Sequence, residues 1–249
     1  MAGVWLVLLA FLAGSIPFGY LVGRLFGRID IRQHGSRNIG ATNVSRLLGF
    51  RFGLLVLGLD LLKGLLPTLC LPRWLGLMES GVNGVAAVSN AVSDAGAVAT
   101  GGSWAESGVN WQALAGLAAI LGHMFPPALA FRGGKGVATA LGVVLSLAPQ
   151  ACGVAGAVFL VSLFVGRYMS LASMLAAIAF GLLQLWWIPP RDWSASNAGL
   201  VLFSVLVPAL IVWRHRGNLK RLWQGTEPRF QLRKSAPVES AASPHGPPG

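Results

Sequence analysis

Three short polar segments of the sequence carry residue types that bind oxyanions. The first segment is Gly-Ser-Arg-Asn-Ile-Gly-Ala-Thr-Asn at 35–43, and it is followed by Arg46. Glycines allow backbone N–H groups to converge, while serine, threonine and asparagine add short donors, so such a loop can wrap an anion. Because a polar glycine-rich loop is also often a simple turn, this segment does not establish a site by itself.

The second segment joins a glycine loop to the start of a helix. Gly-His-Met-Phe-Pro at 122–126 ends one apolar run, and Arg-Gly-Gly-Lys-Gly at 132–136 precedes the next. A helix N-terminus favours a phosphate through its free N–H groups and its dipole, and Lys135 adds a mobile charge. The spacing is not that of a Walker A loop, because Leu129 and Gly136 stand where that motif needs Gly and Ser or Thr. ATP hydrolysis is therefore unsupported.

The third segment, 214–227, contains His215 and Asn218, whose i,i+3 spacing lets both side chains reach one site from a helix. Glu227 ends the segment. The basic residues of this segment also suit an anchor for anionic lipid headgroups, and that interpretation is favoured for three of them. They are Arg216, Lys220 and Arg221. His34 and His245 are interpreted as solvated side chains, and the role of His123 stays open.

The elements that position these segments are apolar. The chain of 249 residues is 54% hydrophobic and 11% charged, with a mean hydropathy of +0.65. Soluble domains contain roughly 25% charged residues, so much of this surface does not face water. The net charge of +11 does not indicate nucleic-acid binding, because the basic residues lie between apolar runs and not along one soluble face. Cys70 and Cys152 form neither a disulfide framework nor a metal-ligand pattern.

The apolar runs predict an all-α integral membrane protein with seven transmembrane helices. The run 137–166 would form a helix of about 45 Å, too long for a core of about 30 Å, and Ala-Pro-Gln at 148–150 interrupts it. We therefore predict two helices in this run. The other five spans are predicted at about 4–23, 53–71, 111–130, 171–188 and 198–213.

The basic residues orient these spans. With the N-terminus outside and the C-terminus cytoplasmic, 16 of the 19 Lys and Arg residues fall on the cytoplasmic side, as the positive-inside rule expects. The first apolar run has no preceding positive charge, which indicates a retained span and not a signal peptide. Residues 1–234 are the predicted membrane domain. Within it, 79–110 lacks Lys and Arg and is predicted as a flexible outer-face loop insertion, and 235–249 as a disordered cytoplasmic tail.

Two further patterns lie inside predicted spans. Asp60 and Lys63 are spaced i,i+3 and can neutralise each other, either as a structural ion pair or at the edge of a site. Gly19, Gly23 and Gly27 form a stripe at spacing four, which predicts close helix packing.

The segments, taken in their order along the chain, resemble a known family. The stretch 35–46 resembles the first signature of the bacterial acyl-phosphate:glycerol-3-phosphate acyltransferases of the PlsY type. The stretch 122–139 is similar to the second signature, and 167–173 and 214–227 are similar to later blocks. The resemblance covers most of the chain except 79–110 and the residues beyond about 234.

The resemblance implies a seven-span enzyme of the bacterial inner membrane with its active site on the cytoplasmic face. Such an enzyme transfers a fatty acyl group from acyl phosphate to the 1-hydroxyl of glycerol 3-phosphate, giving lysophosphatidic acid and inorganic phosphate, the first acylation step of phospholipid synthesis. It uses no metal, coenzyme A or other cofactor. The expected partners are acyl phosphate, glycerol 3-phosphate and membrane lipid, and not nucleic acid.

The resemblance also implies site residues by position. Catalytic roles fall on Ser36, Arg46, Lys135, His215 and Asn218. Substrate-binding roles fall on Gly35, Asn38, Gly40, Thr42, Asn43, Gly133, Gly134, Gly136 and Glu227, with the glycines at 133, 134 and 136 cradling the acyl phosphate. Two departures from the family pattern are Arg37, where glycine is usual, and the long connection at 79–110.

Several alternatives stay open at this stage. The hydroxyl proton can pass to His215 or to a phosphate oxygen of the substrate. No His in the sequence has Asp five positions later, unlike the coenzyme A-dependent acyltransferases. A transporter or channel for a small anion is the main rival, because glycine-broken helices and basic loops also suit transport. A lipid-binding scaffold explains the basic tail but not the glycine-asparagine loop.

Overall fold

The computed structural model describes residues 2–80, 106–188 and 197–230, which form helices joined by loops. The predicted tail 235–249 and most of the predicted loop lie outside the described residues. The described part contains ten α-helices and one 3₁₀ turn, Pro127–Leu129. In chain order the helices are α1 Ala2–Gly14, α2 Phe18–Phe26, α3 Ala41–Leu48, α4 Phe50–Ser80, α5 Glu106–Met124, α6 Val137–Leu147, α7 Pro149–Gly166, α8 Met169–Trp187, α9 Ala198–Arg214 and α10 Arg216–Trp223.

Five segments of the described chain are long and apolar enough to cross a membrane. The pair α9 and α10, bent by 56°, makes a sixth if it counts as one span. The helix α6 is shorter: its 11 residues give about 16 Å, roughly half of an apolar core. The chain is therefore an all-helical membrane protein, while the count of seven crossings stays a prediction. The five segments are Gly3–Phe26, Phe50–Cys70, Asn110–Leu129, Pro149–Gly166 and Met169–Trp187.

The predicted first span is interrupted in the structure. The helix α1 ends at Gly14 and α2 begins at Phe18, because Pro17 lacks the N–H that a continuous helix needs. The Ser15 hydroxyl donates to the carbonyl of Phe11 at 2.7 Å, which keeps this side chain paired within the apolar surroundings. The predicted span at about 4–23 therefore corresponds to the apolar segment Gly3–Phe26, which contains this break.

The second predicted span, 53–71, agrees with the apolar segment Phe50–Cys70, but its helix continues beyond that segment. The helix α4 ends at Ser80 and α5 begins at Glu106, so both ends of the predicted 79–110 loop are helical. Asn110 has a tertiary role, because its side-chain oxygen accepts a hydrogen bond of 2.7 Å from the N–H of Gly199 at the start of α9. The rest of the predicted loop, 81–105, lies outside the described residues.

The run 137–166 is divided into two helices, as predicted. Ala148 leaves the helical conformation at φ −150° and ψ 68°, and Pro149 starts α7. A residue before proline avoids the helical region, which explains why the break falls here. The break also places Arg167 beside the third polar segment, where its carbonyl accepts a hydrogen bond from the N–H of Phe230. One continuous helix would have sent Arg167 to the opposite end of the bundle.

Small residues allow the helices to approach closely. Gly64 of α4 packs against the backbone of Thr139 on α6, and Gly142 of α6 packs against the backbone of Leu61. Such contacts hold helices together where lipid removes the hydrophobic driving force. The stripe at positions 19, 23 and 27 is closely packed, but its nearest partners lie within residues 31–48, which include the first polar segment; Gly19 also contacts Val56 of α4. The nearest partners are Ile39, Ile31 and Leu48 respectively.

We predict that Gly64→Val destabilises the protein whereas Gly58→Val does not. A side chain at Gly64 meets the Thr139 backbone, while nothing lies within 4 Å of the position that a Cβ would take at Gly58 of the same helix. Overpacking costs about 1–3 kcal/mol, so the thermal midpoint should fall by several degrees for the first variant only. The measurement is a thermal scan in detergent, and equal midpoints would contradict the packing contact.

Candidate active site

The first polar segment folds around the side chain of Asn43. Asn43 is 1% exposed, and its oxygen accepts a hydrogen bond of 2.9 Å from the N–H of Ser36. Its amide nitrogen lies within 3.2 Å of three loop carbonyls, those of Ile31, His34 and Asn38. The amide is therefore committed to the loop itself. In the structure Asn43 shapes the loop, and a direct substrate contact for it stays a prediction.

Two left-handed residues bend this loop. Gly35 has φ +58°, and a side chain there would meet the Asn43 oxygen, so glycine is required. Arg37 adopts φ +57° although it carries a side chain, and that side chain is exposed. This backbone conformation favours glycine, so an arginine here is strained. The arginine points into solvent and costs about 1–2 kcal/mol of strain.

The first segment ends by starting a short amphipathic helix. The side-chain oxygen of Asn38 accepts the N–H of Gly40 at 2.8 Å, and α3 begins at the next residue. Ser36 and Arg46 are exposed, while Thr42 is half-buried. The hydroxyl and guanidinium groups that the sequence assigned to chemistry are therefore accessible to a ligand, in contrast to Asn43.

The second segment folds back onto the end of α5. The N–H groups of Gly133 and Gly134 donate to the carbonyls of Met124 and His123, at 3.1 and 3.0 Å. A side chain at Gly134 would meet the His123 ring, and one at Gly133 would meet the same turn of backbone. These two glycines are packing residues in the structure, with their N–H groups already used. Their predicted direct contact with a phosphate stays a prediction.

Free donors occur at the start of α6. Gly136, at φ +81°, precedes the helix, and the N–H of Ala140 is the first to bond back, to Gly136 at 2.7 Å. The N–H groups of Val137, Ala138 and Thr139 have no acceptor within the helix, as at any helix N-terminus. The free N–H groups of this segment, the kind that favour an anion, therefore lie just beyond the paired glycines.

Arg214 joins the third segment to the glycine loop. Its Nη2 donates to the carbonyls of Gly133 and Gly134, each at 2.7 Å, and its Nε donates to Gly134 at 3.0 Å. The guanidinium also lies over the ring of Phe125, 5.4 Å from its centroid. Both N–H and C=O groups of the glycine pair are thus held by protein partners.

A chain of side-chain hydrogen bonds connects Lys135 to the C-terminal segment. The Lys135 ammonium donates to the Asn218 oxygen at 2.6 Å, and the Asn218 amide donates to Glu227 Oε1 at 2.6 Å. Ser170 donates to the same carboxylate oxygen at 2.6 Å, while Arg221 pairs with Oε2 at 2.7 Å. The carboxylate of Glu227 is therefore the shared acceptor of three side chains from two helices, α8 and α10.

Burial, together with the neighbouring cations, lowers the pKa of Lys135. Burial is the main cause, and repulsion from Arg221, Arg46 and Arg214 adds to it, against the attraction of Glu227; the pKa of Lys135 falls to about 8. The influence of Arg46 places the first segment within electrostatic reach of the second. A bound anion would reverse this effect, because it stabilises the ammonium form.

His215 and Glu227, two further titratable groups of the site, each hold one protonation state near neutral pH. Burial and the neighbouring Lys135 lower the pKa of His215 to about 4, so its ring is neutral. Its Nδ1 donates to the carbonyl of Ile211 at 2.8 Å, which leaves Nε2 as an acceptor. Burial alone would raise the pKa of Glu227, but hydrogen bonds from Ser170, Asn218 and Arg221 outweigh it, and the carboxylate stays ionised.

An apolar groove of about 430 Å³ opens beside these groups. Its volume lies in the range typical of sites for small organic ligands. Thr42 and Ser45 of α3 and Ala138 of α6 lie along it, so it adjoins both the first segment and the free helix N-terminus. The remainder is lined by apolar side chains of α4, α7, α8 and α9, including Leu57, Phe159, Met169, Phe180 and Ile211. A polar head and an apolar tail can therefore bind together here.

Comparison with known proteins identifies the family. The model of the family described as glycerol-3-phosphate acyltransferase matches residues 4–225. The glycerol-3-phosphate acyltransferase of Myxococcus xanthus is 42% identical over 226 residues, covering 90% of this chain and 98% of that protein. That of Trichlorobacter lovleyi is 41% identical over 231 residues, covering 92% and 98%.

This chain belongs to the glycerol-3-phosphate acyltransferase family. Its fold agrees with the crystal structure of PlsY, an integral membrane glycerol 3-phosphate acyltransferase, in the glycerol 3-phosphate form. The TM-score is 0.72 at 36% identity, over 93% of this chain and 96% of that one. The lysophosphatidic acid form of PlsY matches with a TM-score of 0.70 at 35% identity, over 93% and 97%. The resemblance read from the polar segments is thereby confirmed.

The structure brings together part of the predicted site directly. Lys135, Asn218 and Glu227 form one hydrogen-bonded chain, and Arg46 acts on Lys135 through its charge. Sequence reasoning missed Arg214 and Ser170 as site residues and interpreted Arg221 as a lipid anchor, whereas Arg221 pairs with Glu227. The only signal for Ser170 was its place in the family-like block 167–173. His245 lies outside the described residues.

We predict that Lys135→Ala and Arg46→Ala each lower kcat/KM at least about tenfold near pH 7. Each residue offers one charge-assisted contact to a phosphate, worth about 1.5–3 kcal/mol. Both variants should still insert and fold, which gel filtration in detergent checks. A rate at unsaturated substrate equal to that of the unchanged protein, for either variant, would contradict its role.

We further predict that kcat/KM of the unchanged enzyme declines as pH rises through about 8. The pKa of Lys135 is lowered to about 8, so its ammonium form is lost in that range. The neutral amine that remains cannot offset the charge of a phosphate. Lys135→Arg should move the decline to higher pH, since a guanidinium keeps its proton. A decline at the same pH in Lys135→Arg would assign it to another group.

Arg214→Lys should reduce kcat/KM at least about tenfold, because an ammonium cannot make the forked contacts with Gly133 and Gly134. Arg216→Lys is the matched control. Arg216 is exposed and its one backbone contact, with Trp213, is 3.5 Å long, so its replacement should change little. Steady-state kinetics of both variants test this. Equal effects on kcat/KM would argue against a role for the Arg214 contacts with Gly133 and Gly134.

Proposed function

We propose that this chain, a glycerol-3-phosphate acyltransferase, takes its acyl group from acyl phosphate. The acyl group would pass to the 1-hydroxyl of glycerol 3-phosphate, giving lysophosphatidic acid and inorganic phosphate. The observation that carries the proposal is the apolar groove whose lining includes the first residues of α6, next to the Lys135 ammonium. The proposed reaction requires no metal, coenzyme A or other cofactor.

The groove supports a lipid-like donor. An acyl chain lying along α4, α7 and α8 would bring the carbonyl and its phosphate to Ala138 and Thr42, where the groove meets the polar segments. There the free N–H groups at the start of α6 and the Lys135 ammonium favour a phosphate. The proposed cradle for the acyl phosphate is thus this turn together with Gly136, rather than the paired glycines alone.

The charges of the site support a reaction between two anions. Acyl phosphate is an activated anhydride, so the enzyme mainly has to hold both reactants and offset the charge that develops in the transition state. Lys135, Arg46, Arg214 and Arg221 against Glu227 leave the site net positive. Ser36 and Arg46, which are accessible, are proposed to contact substrate from the first segment.

The acceptor of the hydroxyl proton has two candidates. His215 is neutral and has a free Nε2, so it can accept a proton, although its pKa of about 4 makes it a weak base. A phosphate oxygen of the substrate is the second candidate. If His215 is the base, kcat of His215→Gln should fall by orders of magnitude; if phosphate is, the loss should be modest.

We also propose seven crossings, with the site on the cytoplasmic side. The hydrogen-bonded chain from Lys135 to Ser170 gathers the second and third segments and the start of α8 at one end of the bundle. Sixteen of the 19 basic residues fall at that end when seven spans are drawn. The positive-inside rule then favours the cytoplasm for it.

The donor assignment is tested with purified enzyme and two donors of equal chain length. Long-chain acyl phosphate should give lysophosphatidic acid from glycerol 3-phosphate with a chelator present, while acyl-CoA should be poor or inactive. The reason is that a thioester has no phosphate beside its carbonyl for the α6 N-terminus to hold. The product is followed by mass spectrometry together with phosphate release.

Two outcomes would overturn the proposed donor. Efficient transfer from acyl-CoA would do so, as would inactivity with acyl phosphate in a preparation that still binds glycerol 3-phosphate. Sensitivity to the chelator would remove only the clause on metals. Passage of glycerol 3-phosphate into sealed proteoliposomes without acylation would favour the transporter interpretation instead.

A further inference from the structure

A cluster of three buried ionisable side chains lies between α4 and α5, next to the glycine loop of the candidate active site. Asp60 and Lys63 belong to α4 and are 2% and 5% exposed, and His123 belongs to the last turn of α5 and is 4% exposed. Asp60 Oδ1 lies 2.8 Å from the Lys63 ammonium and 3.5 Å from His123 Nδ1. The reaction proposed above uses none of the three.

Such a cluster is not needed for packing. A buried ion pair is no more stabilising than apolar side chains of the same size, because both charges lose their hydration. Ionisable groups inside a membrane protein therefore call for a role other than cohesion. The neighbours of the three side chains indicate which role this is.

One side of the cluster contacts the break in the first span. The Lys63 ammonium donates to the carbonyl of Ile16 at 2.7 Å and lies over the ring of Phe18, 5.5 Å from its centroid. This is where α2 begins. The following turn, at Gly19, packs against the backbone of Ile39 in the first polar segment. Lys63 thus fixes the helix on which the first segment rests.

The other side contacts the glycine loop. The His123 ring packs against Gly134, and the His123 carbonyl accepts the N–H of Gly134 at 3.0 Å. Arg214 holds the same glycine from the opposite side through its carbonyl. His123 therefore fixes the position of the glycine loop that precedes Lys135. Asp60 in turn lies beside His123.

We propose that Asp60, Lys63 and His123 form a buried positioning cluster that fixes the first polar segment and the glycine loop relative to each other. His123 acts directly on the loop, and the ion pair acts through His123 and through Ile16. None of the three contacts substrate. This inference rests on the proposed function, in which both segments hold substrate phosphates.

The test uses full-length protein in detergent and replaces both charges together. Asp60→Leu with Lys63→Met removes the pair without leaving a lone buried charge, so the thermal midpoint should stay within a few degrees. The KM for acyl phosphate should rise at least about tenfold, and the KM for glycerol 3-phosphate should also rise, because the pair supports the first segment as well as the glycine loop. Thr68→Val, which removes another buried polar group of α4, should change neither value.

Variants of His123 separate positioning from simple stability. His123→Asn keeps a donor near the place of Nδ1 and should restore much of the affinity that His123→Leu loses, at similar thermal midpoints. An unchanged KM for both substrates in the double variant would refute the inference. Parallel loss of midpoint, kcat and both substrate affinities would refute it equally, because that pattern indicates a purely structural role.

Failure of the proposed donor can be recognised independently. It would be observed in the unchanged protein as inactivity with acyl phosphate. In that case calorimetric titration with glycerol 3-phosphate and with inorganic phosphate still compares the double variant with the unchanged protein, and at least one affinity should fall about tenfold. A kinetic defect confined to glycerol 3-phosphate would support the cluster and overturn the assignment of the glycine loop to the donor.

Discussion

The ionised carboxylate of Glu227 organises the cationic end of the bundle. Its two oxygens accept hydrogen bonds from Ser170, Asn218 and Arg221, and Asn218 in turn holds the Lys135 ammonium. Burial opposes ionisation, yet the donors outweigh it. Without this single negative charge, the remaining cations would repel each other and the buried amide of Asn218 would lose a partner. The geometry of the candidate site therefore depends on one acidic residue.

The short helix α6 connects the apolar groove with the polar segments. It begins directly after Lys135 and Gly136, so its first turn adjoins the glycine loop. The groove begins at that same N-terminus, where Val137 and Ala138 line it. A water-soluble reactant would enter from the polar segments and an apolar one from between the helices. In the proposed reaction the two would meet beside the apolar lining of the groove, where a lower local dielectric constant strengthens charged contacts.

Residue type and position sufficed to select Lys135 and Asn218 as candidates, and the structure joins them by a hydrogen bond, while their catalytic roles and that of His215 stay predictions. The sequence also predicted the break before Pro149, since proline restricts its neighbour wherever it occurs. It did not predict Arg214 or Ser170, because their partners are a backbone carbonyl and a carboxylate that lie 80 and 57 residues away. The paired N–H groups of Gly133 and Gly134 were also missed, for a glycine-rich sequence does not reveal which backbone groups are already bonded. Tertiary contacts of this kind depend on helix packing that no local pattern encodes.

The spacing of Asp60 and Lys63 also bears on how the chain enters the bilayer. Synthesis delivers α4 before α5, so Asp60 reaches the membrane while His123 is still far along the chain. A lone charge at the centre of a span costs about 2.5–3.5 kcal/mol on insertion scales. Lys63 lies one helical turn after Asp60, and its ammonium is 2.8 Å from the Asp60 carboxylate. Because the two charges offset each other, α4 can partition as a neutral unit. The ion pair thus makes the insertion of α4 independent of the later helices.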